Sequence, residues 1–148
     1  MPSIQNNEAK HPLISIVMAC YQGEKYVEEQ IHSHLNQDYP HLEFVYLDDA
    51  STDRTWSILQ EMALKDARIK IFQNEKNLGY VGSFEKAIQL AQGEWIALSD
   101  QDDIWETNKI AQMTAFLTQN PSVNVVFSDA LLINENGIYS ERIIVNHN

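Results

Sequence analysis

The sequence predicts an α/β fold in which helices flank a mostly parallel β-sheet. Two observations support this fold class. Apolar runs of strand length alternate with segments of helical periodicity, and turn residues separate them. Such alternation is typical of βαβ units with right-handed crossovers. The chain has 148 residues, of which 44% are hydrophobic, which is enough for one domain with its own core.

The first predicted strand is Leu13–Cys20, a nearly continuous apolar run of the kind that is buried on both faces of a parallel sheet. Residues 1–12 before it are polar, and we expect them to form a flexible N-terminus. Gly23 interrupts the apolar run. From Tyr26 onward, apolar residues recur at spacings of three and four, which predicts a helix that ends before Tyr39-Pro40.

The second and third units repeat this plan. A second strand is predicted at Leu42–Leu47, followed by the polar segment Asp48–Asp53 and an amphipathic helix. A third strand at Ile69–Phe72 precedes a helix predicted over residues 83–92. Gly93 is predicted as the residue that follows the end of this helix, where glycine is common.

The fourth predicted strand is Glu94–Leu98, which leads into an acidic loop and then a helix over residues 107–118. A fifth strand is predicted at Val123–Phe127. Residues 133–138 contain Asn and Gly and predict a turn within a hairpin.

Composition and charge exclude several functional classes. Ten basic residues against 21 acidic ones give a formal charge of −11, and no Lys or Arg cluster is present for nucleic acid or an anionic membrane. Cys20 is the only cysteine, which favours a reducing compartment. No run reaches the roughly 18 apolar residues of a membrane span, and no signal peptide is evident. We therefore expect a cytoplasmic protein with no transmembrane segment in this chain.

Acidic residues follow three of the predicted strands. Asp48 and Asp49 follow the second strand, the segment Asp100–Asp103 follows the fourth, and Asp129 follows the fifth. The carboxyl ends of parallel strands meet at one edge of the sheet, where open α/β sheets bind their ligands. The sequence therefore predicts a functional site at this edge.

The spacing of Asp100 and Asp102 suits a divalent metal ion. Mg²⁺ or Mn²⁺ takes one or two protein carboxylates and fills its other positions with water and phosphate oxygens. A solvated turn that caps the next helix is the alternative, and this motif alone does not decide between them. Capping leaves Asp48 and Asp49 unexplained, whereas a carboxylate at a strand end can accept a hydrogen bond from a base or ribose.

Four segments, ISIVMACYQGEKY, LDDASTD, NLGYVGSF and LSDQDDIW, occur in an order and at separations that resemble the nucleotide-binding half of a family 2 inverting glycosyltransferase. The resemblance covers about residues 13–130. It implies a Rossmann-like GT-A nucleotide-sugar-binding domain over 13–148. The loop sequence SDQDDIW resembles the corresponding loop of bacterial enzymes that build O-antigen or capsular polysaccharide. This resemblance implies transfer of a sugar from a nucleotide-diphosphate donor, with UDP- or dTDP-sugars favoured, to a saccharide or lipid-linked acceptor. It also implies that the reaction takes place at the inner face of the cell membrane.

The resemblance also implies roles for individual residues. It puts Asp100 beside the ribose and Asp102 on Mn²⁺ or Mg²⁺, with both as candidate metal ligands. The resemblance implies that either Asp48 or Asp49 is the carboxylate that recognises the nucleobase, and Asp49 is favoured. The full set of candidate donor-binding residues is Ala19, Tyr21, Asp48, Asp49, Asn77, Asp100 and Asp102.

Two departures from the family pattern limit these implications. Phe84 stands where many members have an arginine near the donor, which weakens any statement about donor identity. The catalytic base comes from the acceptor half in this family, and we expect it beyond Asn148. A non-catalytic donor-binding half is therefore an alternative. A sugar-phosphate nucleotidyltransferase is a weaker one, because the loop Cys20–Glu24 has one glycine and no arginine to hold a triphosphate.

Overall fold

The computed structural model describes residues 11–134, 136–137 and 139–142, the last four by their backbone alone. Most of the predicted flexible N-terminus thus lies outside the described residues. The elements in chain order are β1 (Ile14–Cys20), α1 (Val27–Leu35), β2 (Leu42–Asp48), α2 (Thr55–Lys65), β3 (Ile69–Gln73), α3 (Gly79–Leu90), β4 (Trp95–Ser99), α4 (Lys109–Gln119), β5 (Leu131–Ile133) and β6 (Tyr139–Arg142).

The chain divides into two compact units, Met1–Ile110 and Ala111–Asn148. The prediction of a single domain over 13–148 stays a prediction. Within the described residues, no helix combines the length and the apolar character that crossing a membrane requires.

The first unit contains a four-stranded sheet in the order β3-β2-β1-β4, with every pair parallel. All seven residues of β2 are buried, as the apolar runs of the two central strands predict. β4 lies at one edge and alternates between partly buried and exposed positions, with Ile96 and Leu98 exposed, and it ends in the buried Ser99. The predicted parallel α/β sheet flanked by helices is confirmed.

Helices cover both faces of this sheet. The larger core cluster joins α1 and α2 to one face, where Phe44 and Tyr46 are fully buried. A smaller cluster joins α3 to the opposite face through Phe84 and Ala87, which pack with Val17 and other strand residues. The two-sided cover leaves the carboxyl edge of the sheet to loops.

Gly93 has a different role from the predicted one. The helix α3 ends at Leu90 with Ala91 as its cap, and Gly93 lies beyond it, beside β1. Its backbone N–H donates a hydrogen bond to Ser15 Oγ at 2.7 Å, and the Ser15 hydroxyl donates in turn to the buried Glu43 carboxylate. Glycine is therefore needed at position 93 because the chain lies close to Ser15 of β1 there, and not because a helix ends there.

Gly93→Ala should lower the free energy of unfolding by about 1–3 kcal/mol, the usual cost of overpacking. A Cβ at this position would lie 2.5 Å from Ser15 Oγ, 2.6 Å from Ser15 N and 2.8 Å from Leu13 O, and the last two are backbone atoms that cannot move aside cheaply. Urea unfolding would measure the change.

Gly82→Ala is the matched control. Gly82 lies inside α3, and its Cβ would meet only Leu78 Cβ, at 3.2 Å. Leu78 would have to shift by a few tenths of an ångström, whereas alanine is favoured over glycine in a helix by about 1 kcal/mol, so any loss of stability should be smaller than that of Gly93→Ala. Equal unfolding midpoints for the two variants would contradict the close-approach explanation of Gly93.

The fifth strand was predicted at the wrong place. Residues 123–130 form no strand, and Val125 and Phe127 are exposed. Strand propensity depends on the structural context of a segment, so an apolar run alone does not establish a strand. The strand in this region is β5, which pairs with β6 in an antiparallel hairpin. The predicted hairpin at residues 133–138 is confirmed, although residues 135 and 138 lie outside the described ones. The expectation that Asp129 ends a parallel strand is wrong.

Candidate functional site

An open cavity of about 430 Å³ lies at the carboxyl edge of the four-stranded sheet. The loops after β1, β2 and β4 and the first turns of α3 form its walls. Its lining residues are Ala19, Cys20, Tyr21, Asp49, Asn77, Gly79, Tyr80, Ser83, Asp100, Gln101 and Asp102. The cavity thus lies where the βαβ pattern predicted a ligand site.

Six of the seven candidate donor-binding residues line this cavity, and Asp48 does not. Asp48 is fully buried. Its Oδ2 accepts hydrogen bonds from Gln73 Nε2 at 2.9 Å and from the Ser51 backbone N–H at 3.2 Å. Its Oδ1 is also buried and has no hydrogen-bond partner among the described residues. Asp48 therefore ties the end of β2 to β3 and to the following turn.

Asp49 reaches the cavity and also anchors α3. Its Oδ1 accepts hydrogen bonds from Asn74 Nδ2 and from the Leu78 backbone N–H, both at 2.8 Å, and its Oδ2 accepts one from the Gly79 backbone N–H at 2.9 Å. Burial raises the pKa of Asp49, but these bonds and one from Ser83 outweigh it and hold the pKa below its ordinary value. The ionised carboxylate satisfies the free N–H groups at the start of the helix.

This anchor explains why α3 begins at Gly79, four residues earlier than predicted. Asp49 is 30 positions away in sequence from Gly79. Local helix signals extend only over neighbouring residues, so they could not indicate this start.

The acidic loop after β4 rests on a buried polar network. The Ser99 hydroxyl donates to the Asp100 carbonyl at 2.9 Å, and Ser99 Oγ lies 2.9 Å from both Gln30 Nε2 and His34 Nε2. Burial, together with the charge of Lys109, lowers the pKa of His34 to about 3. The imidazole is therefore neutral at physiological pH and acts as a fixed hydrogen-bonding support for the loop.

The acidic loop concentrates negative charge at the cavity. Asp100 and Asp102 line the cavity, and Asp103 does not. Burial and then the negative charges of Asp100 and Asp102 raise the pKa of Asp103, and the charge of Lys109 opposes this shift. Two neighbouring carboxylates that line one cavity favour a cation between them.

The lining carboxylates fit a metal that shares its coordination with a ligand. Among the described residues, no three His, Cys, Asp or Glu side chains are arranged to hold a metal ion by themselves. Mg²⁺ and Mn²⁺ need only one or two protein carboxylates when water and phosphate oxygens complete the shell. Asp100 and Asp102 are the residues that could hold such an ion.

The loops after β1 and β2 are joined by many hydrogen bonds. Gln22 and Ala50 adopt left-handed backbone angles, with φ of 49° and 58°. The Gln22 backbone N–H donates to Ser51 Oγ at 3.0 Å, and its Oε1 accepts from the Thr52 backbone N–H at 2.8 Å. Non-glycine residues rarely adopt such angles unless the surroundings enforce them, and they do so most often at functional sites.

Sequence reasoning missed three polar side chains that line the cavity, Tyr80, Ser83 and Gln101. The Tyr80 hydroxyl donates to Asp100 Oδ1 at 3.2 Å, and burial followed by the charge of Asp100 raises the pKa of Tyr80. The signal for Tyr80 was its place in the first turn of α3, which the late predicted start of that helix hid. Gln101 lies inside the acidic motif, where the sequence pattern indicates the aspartates on either side of it.

A family model described as "Glycosyl transferase family 2" matches residues 15–142 of this chain. One relative is the UDP-Glc:alpha-D-GlcNAc-diphosphoundecaprenol beta-1,3-glucosyltransferase WfaP of Escherichia coli. It is 36% identical over 105 residues, which are 71% of this chain and 41% of WfaP. The chain spans between 36% and 49% of the length of eight curated relatives.

Solved structures show the same fold. The mannosyltransferase PcManGT from Pyrobaculum calidifontis, in complex with GDP-Man and Mn²⁺, superposes with a TM-score of 0.69 at 25% identity, over 74% of this chain and 33% of that chain. S. aureus TarS 1-349 in complex with UDP-GlcNAc gives a TM-score of 0.69 at 30% identity, over 74% of this chain and 32% of that one. The fold is thus the GT-A type that the sequence resemblance implied.

Proposed function

This chain belongs to glycosyl transferase family 2, and we propose that it supplies the donor-binding part of an inverting, metal-assisted glycosyltransferase. The observation that carries the proposal is the cavity at the carboxyl edge of the sheet. It brings Tyr21, Asp49 and the pair Asp100 and Asp102 to one place from three separate loops. A nucleotide-diphosphate sugar has a part that suits each of them: a base, a ribose and a charged diphosphate.

The base and ribose belong at the β1 side of the cavity. The Tyr21 side chain is 48% exposed and offers a ring against which a base can lie. Asp49 is ionised and lines the cavity, so it can accept a hydrogen bond from a base N–H. We favour a UDP- or dTDP-sugar as donor. WfaP is named for UDP-Glc and TarS was solved with UDP-GlcNAc, whereas PcManGT holds GDP-Man.

The diphosphate belongs at the acidic loop. Asp100 and Asp102 would hold Mn²⁺ or Mg²⁺, which when bound neutralises the charge that develops on the leaving diphosphate. Tyr80 donates a hydrogen bond to Asp100 and so restrains one of the two carboxylates. The neutral His34 and Ser99 support the loop from below without adding charge. We assign the catalytic base to none of the described residues.

We propose that the acceptor is a saccharide or a lipid-linked saccharide in cell-surface polysaccharide synthesis. The name of WfaP specifies a diphosphoundecaprenol acceptor. An acceptor of this type would place the reaction in the cytoplasm at the inner face of the cell membrane.

Titration calorimetry with nucleotides tests the donor site directly. UDP should bind the chain in the presence of Mn²⁺, and EDTA should remove most of that affinity, because the two acidic side chains alone repel a diphosphate. dTDP and GDP would be titrated alongside to identify the base that the cavity prefers. If none of the three nucleotides binds with Mn²⁺, the proposed donor site is wrong. If binding is equal in EDTA, the metal assignment is wrong.

A further inference from the structure

The side chain of Gln101 forms a two-point link between two loops of the cavity. Its Oε1 accepts a hydrogen bond from the Tyr21 backbone N–H, and its Nε2 donates one to the Tyr21 carbonyl, both at 3.0 Å. Both bonds are exposed to solvent, and the residues are 80 positions apart. The Gln101 amide thus pairs with the Tyr21 backbone as a neighbouring strand would.

The position of this link within the site distinguishes it from an ordinary surface contact. The β1 loop and the β2 loop are held together by several hydrogen bonds from Gln22, Gly23 and Glu24. Gln101 makes two hydrogen bonds between the β1 loop and the acidic loop. They continue the link between β1 and β4, whose pairing ends at Met18 and Ser99, into the two loops that line the cavity.

Gly23 provides an independent observation. A Cβ on Gly23 would collide with Gln101 Oε1 and lie 2.8 Å from Gln101 Cδ, and these are the nearest atoms that it would meet. Its φ lies outside the left-handed region, so the backbone conformation does not require glycine. The absence of a side chain at position 23 leaves the space that the Gln101 amide occupies.

We propose that Gln101 is a positioning residue that fixes the distance between the base-binding loop at Tyr21 and the metal-binding pair Asp100 and Asp102. This inference rests on the proposed function. A ligand with two linked parts gains from both contacts at once only if the two subsites have the matching separation. Gln101 therefore acts on the complete nucleotide diphosphate and has little effect on either part alone.

Calorimetric titrations on Gln101→Leu and on Gly23→Ala test this role with three probes: UDP with Mn²⁺, uridine alone, and pyrophosphate with Mn²⁺. Loss of two hydrogen bonds should weaken UDP binding about tenfold in each variant, whereas uridine and pyrophosphate should change by about twofold or less. Gly23→Ala displaces only the flexible end of a side chain, so it should fold normally. The double variant should be no weaker than either single variant, because both remove the same link.

Gln101→Glu adds a readout that general loss of structure would not produce. At neutral pH its carboxylate can accept from the Tyr21 N–H but faces the Tyr21 carbonyl, so one bond becomes a repulsion. UDP with Mn²⁺ should therefore bind this variant at least as weakly as it binds Gln101→Leu, whereas uridine alone should change by about twofold or less.

Gln60→Leu, which changes an exposed glutamine on α2, is the matched control and should bind all three probes as the wild type does. UDP affinity within about twofold of wild type in both Gln101→Leu and Gly23→Ala would overturn the positioning role. A proportional loss for all three probes would also overturn it, because the variants would then have damaged the loops themselves. If the wild type binds no nucleotide with Mn²⁺, the proposed function fails first, and this inference fails with it.

Discussion

Asp102→Asn should weaken UDP binding in the presence of Mn²⁺ about 100-fold, which corresponds to roughly 2.7 kcal/mol. Asp102 is one of two carboxylates that line the cavity from the acidic loop, and in the proposed site the neutral amide lacks the charge that would hold a divalent ion. Opposite unit charges 4 Å apart attract by about 4 kcal/mol at an effective dielectric near 20, so a hundredfold effect is a moderate expectation. Calorimetric titration of UDP with Mn²⁺ measures it.

Asp103→Asn is the control for this prediction. It removes the same formal charge one residue away, from a side chain that does not line the cavity. Screening limits such a change in the general field to about threefold. In EDTA, wild type and Asp102→Asn should bind UDP almost equally, since the lost interaction passes through the metal. Equal weakening by the two variants would mean that overall charge, and not coordination by Asp102, governs binding.

Asp49→Ala should lower the free energy of unfolding by about 3 kcal/mol, measured by urea unfolding without ligand. The Asp49 carboxylate accepts hydrogen bonds from two backbone N–H groups at the start of α3 and from Asn74. Removing it takes this acceptor from the Leu78 N–H and one of two acceptors from the Gly79 N–H and from the Asn74 amide, which keep Asn77 Oδ1 and Ser83 Oγ. Asn77→Ala is the comparison. It removes a local acceptor of the Gly79 N–H, at 3.0 Å, and a long hydrogen bond from Asn77 Nδ2 to the Asp49 carbonyl, at 3.5 Å, and should cost about 1 kcal/mol.

The pH dependence of the Asp49 effect has a definite sign. The pKa of Asp49 is lowered in the folded state. Its contribution is therefore complete above the unfolded-state pKa of about 3.9 and disappears as the pH falls through the lower folded-state value. The stability difference between wild type and Asp49→Ala should be constant from about pH 7 to about pH 5 and shrink below about pH 4. A difference that grows on acidification would contradict the ionised anchor.

The strands were predictable where burial is two-sided. β1 and β2 are apolar along their length because both faces are covered, and this pattern can be read without knowledge of the partners. The start of α3 was not predictable in this way, because its anchor is a carboxylate on another strand end. The strand predicted at residues 123–127 is wrong for a different reason. The segment has the composition of a strand, but strand propensity depends on structural context, which composition does not specify.

The sequence could predict which strand ends form the site, but it could not predict which side chains at those ends point into it. A parallel sheet brings the ends of β1, β2 and β4 to one edge, and five candidate residues at these ends accordingly line the cavity, together with Asn77 from the segment between β3 and α3. Successive residues of an extended chain point in opposite directions, so Asp48 turns inward and Asp49 turns to the cavity. Nothing in the local pattern distinguishes the two. Gln101 was missed because its hydrogen-bond partner, the Tyr21 backbone, lies 80 positions earlier in the sequence.

The order of the strands also determines when the site can form during folding. In β1, Ile14 pairs with Leu42 of β2 on one side and with Trp95 of β4 on the other. β1 is synthesised first, but its second pairing partner, β4, is the last strand of this sheet to be synthesised. Closing the longer loop costs more conformational entropy, and pairings distant in sequence form slowly. We expect the β1–β2 and β2–β3 pairs to form before β4 docks. The cavity is then completed last, and a nascent chain that ends before the acidic loop carries a nearly finished sheet without a place for the donor.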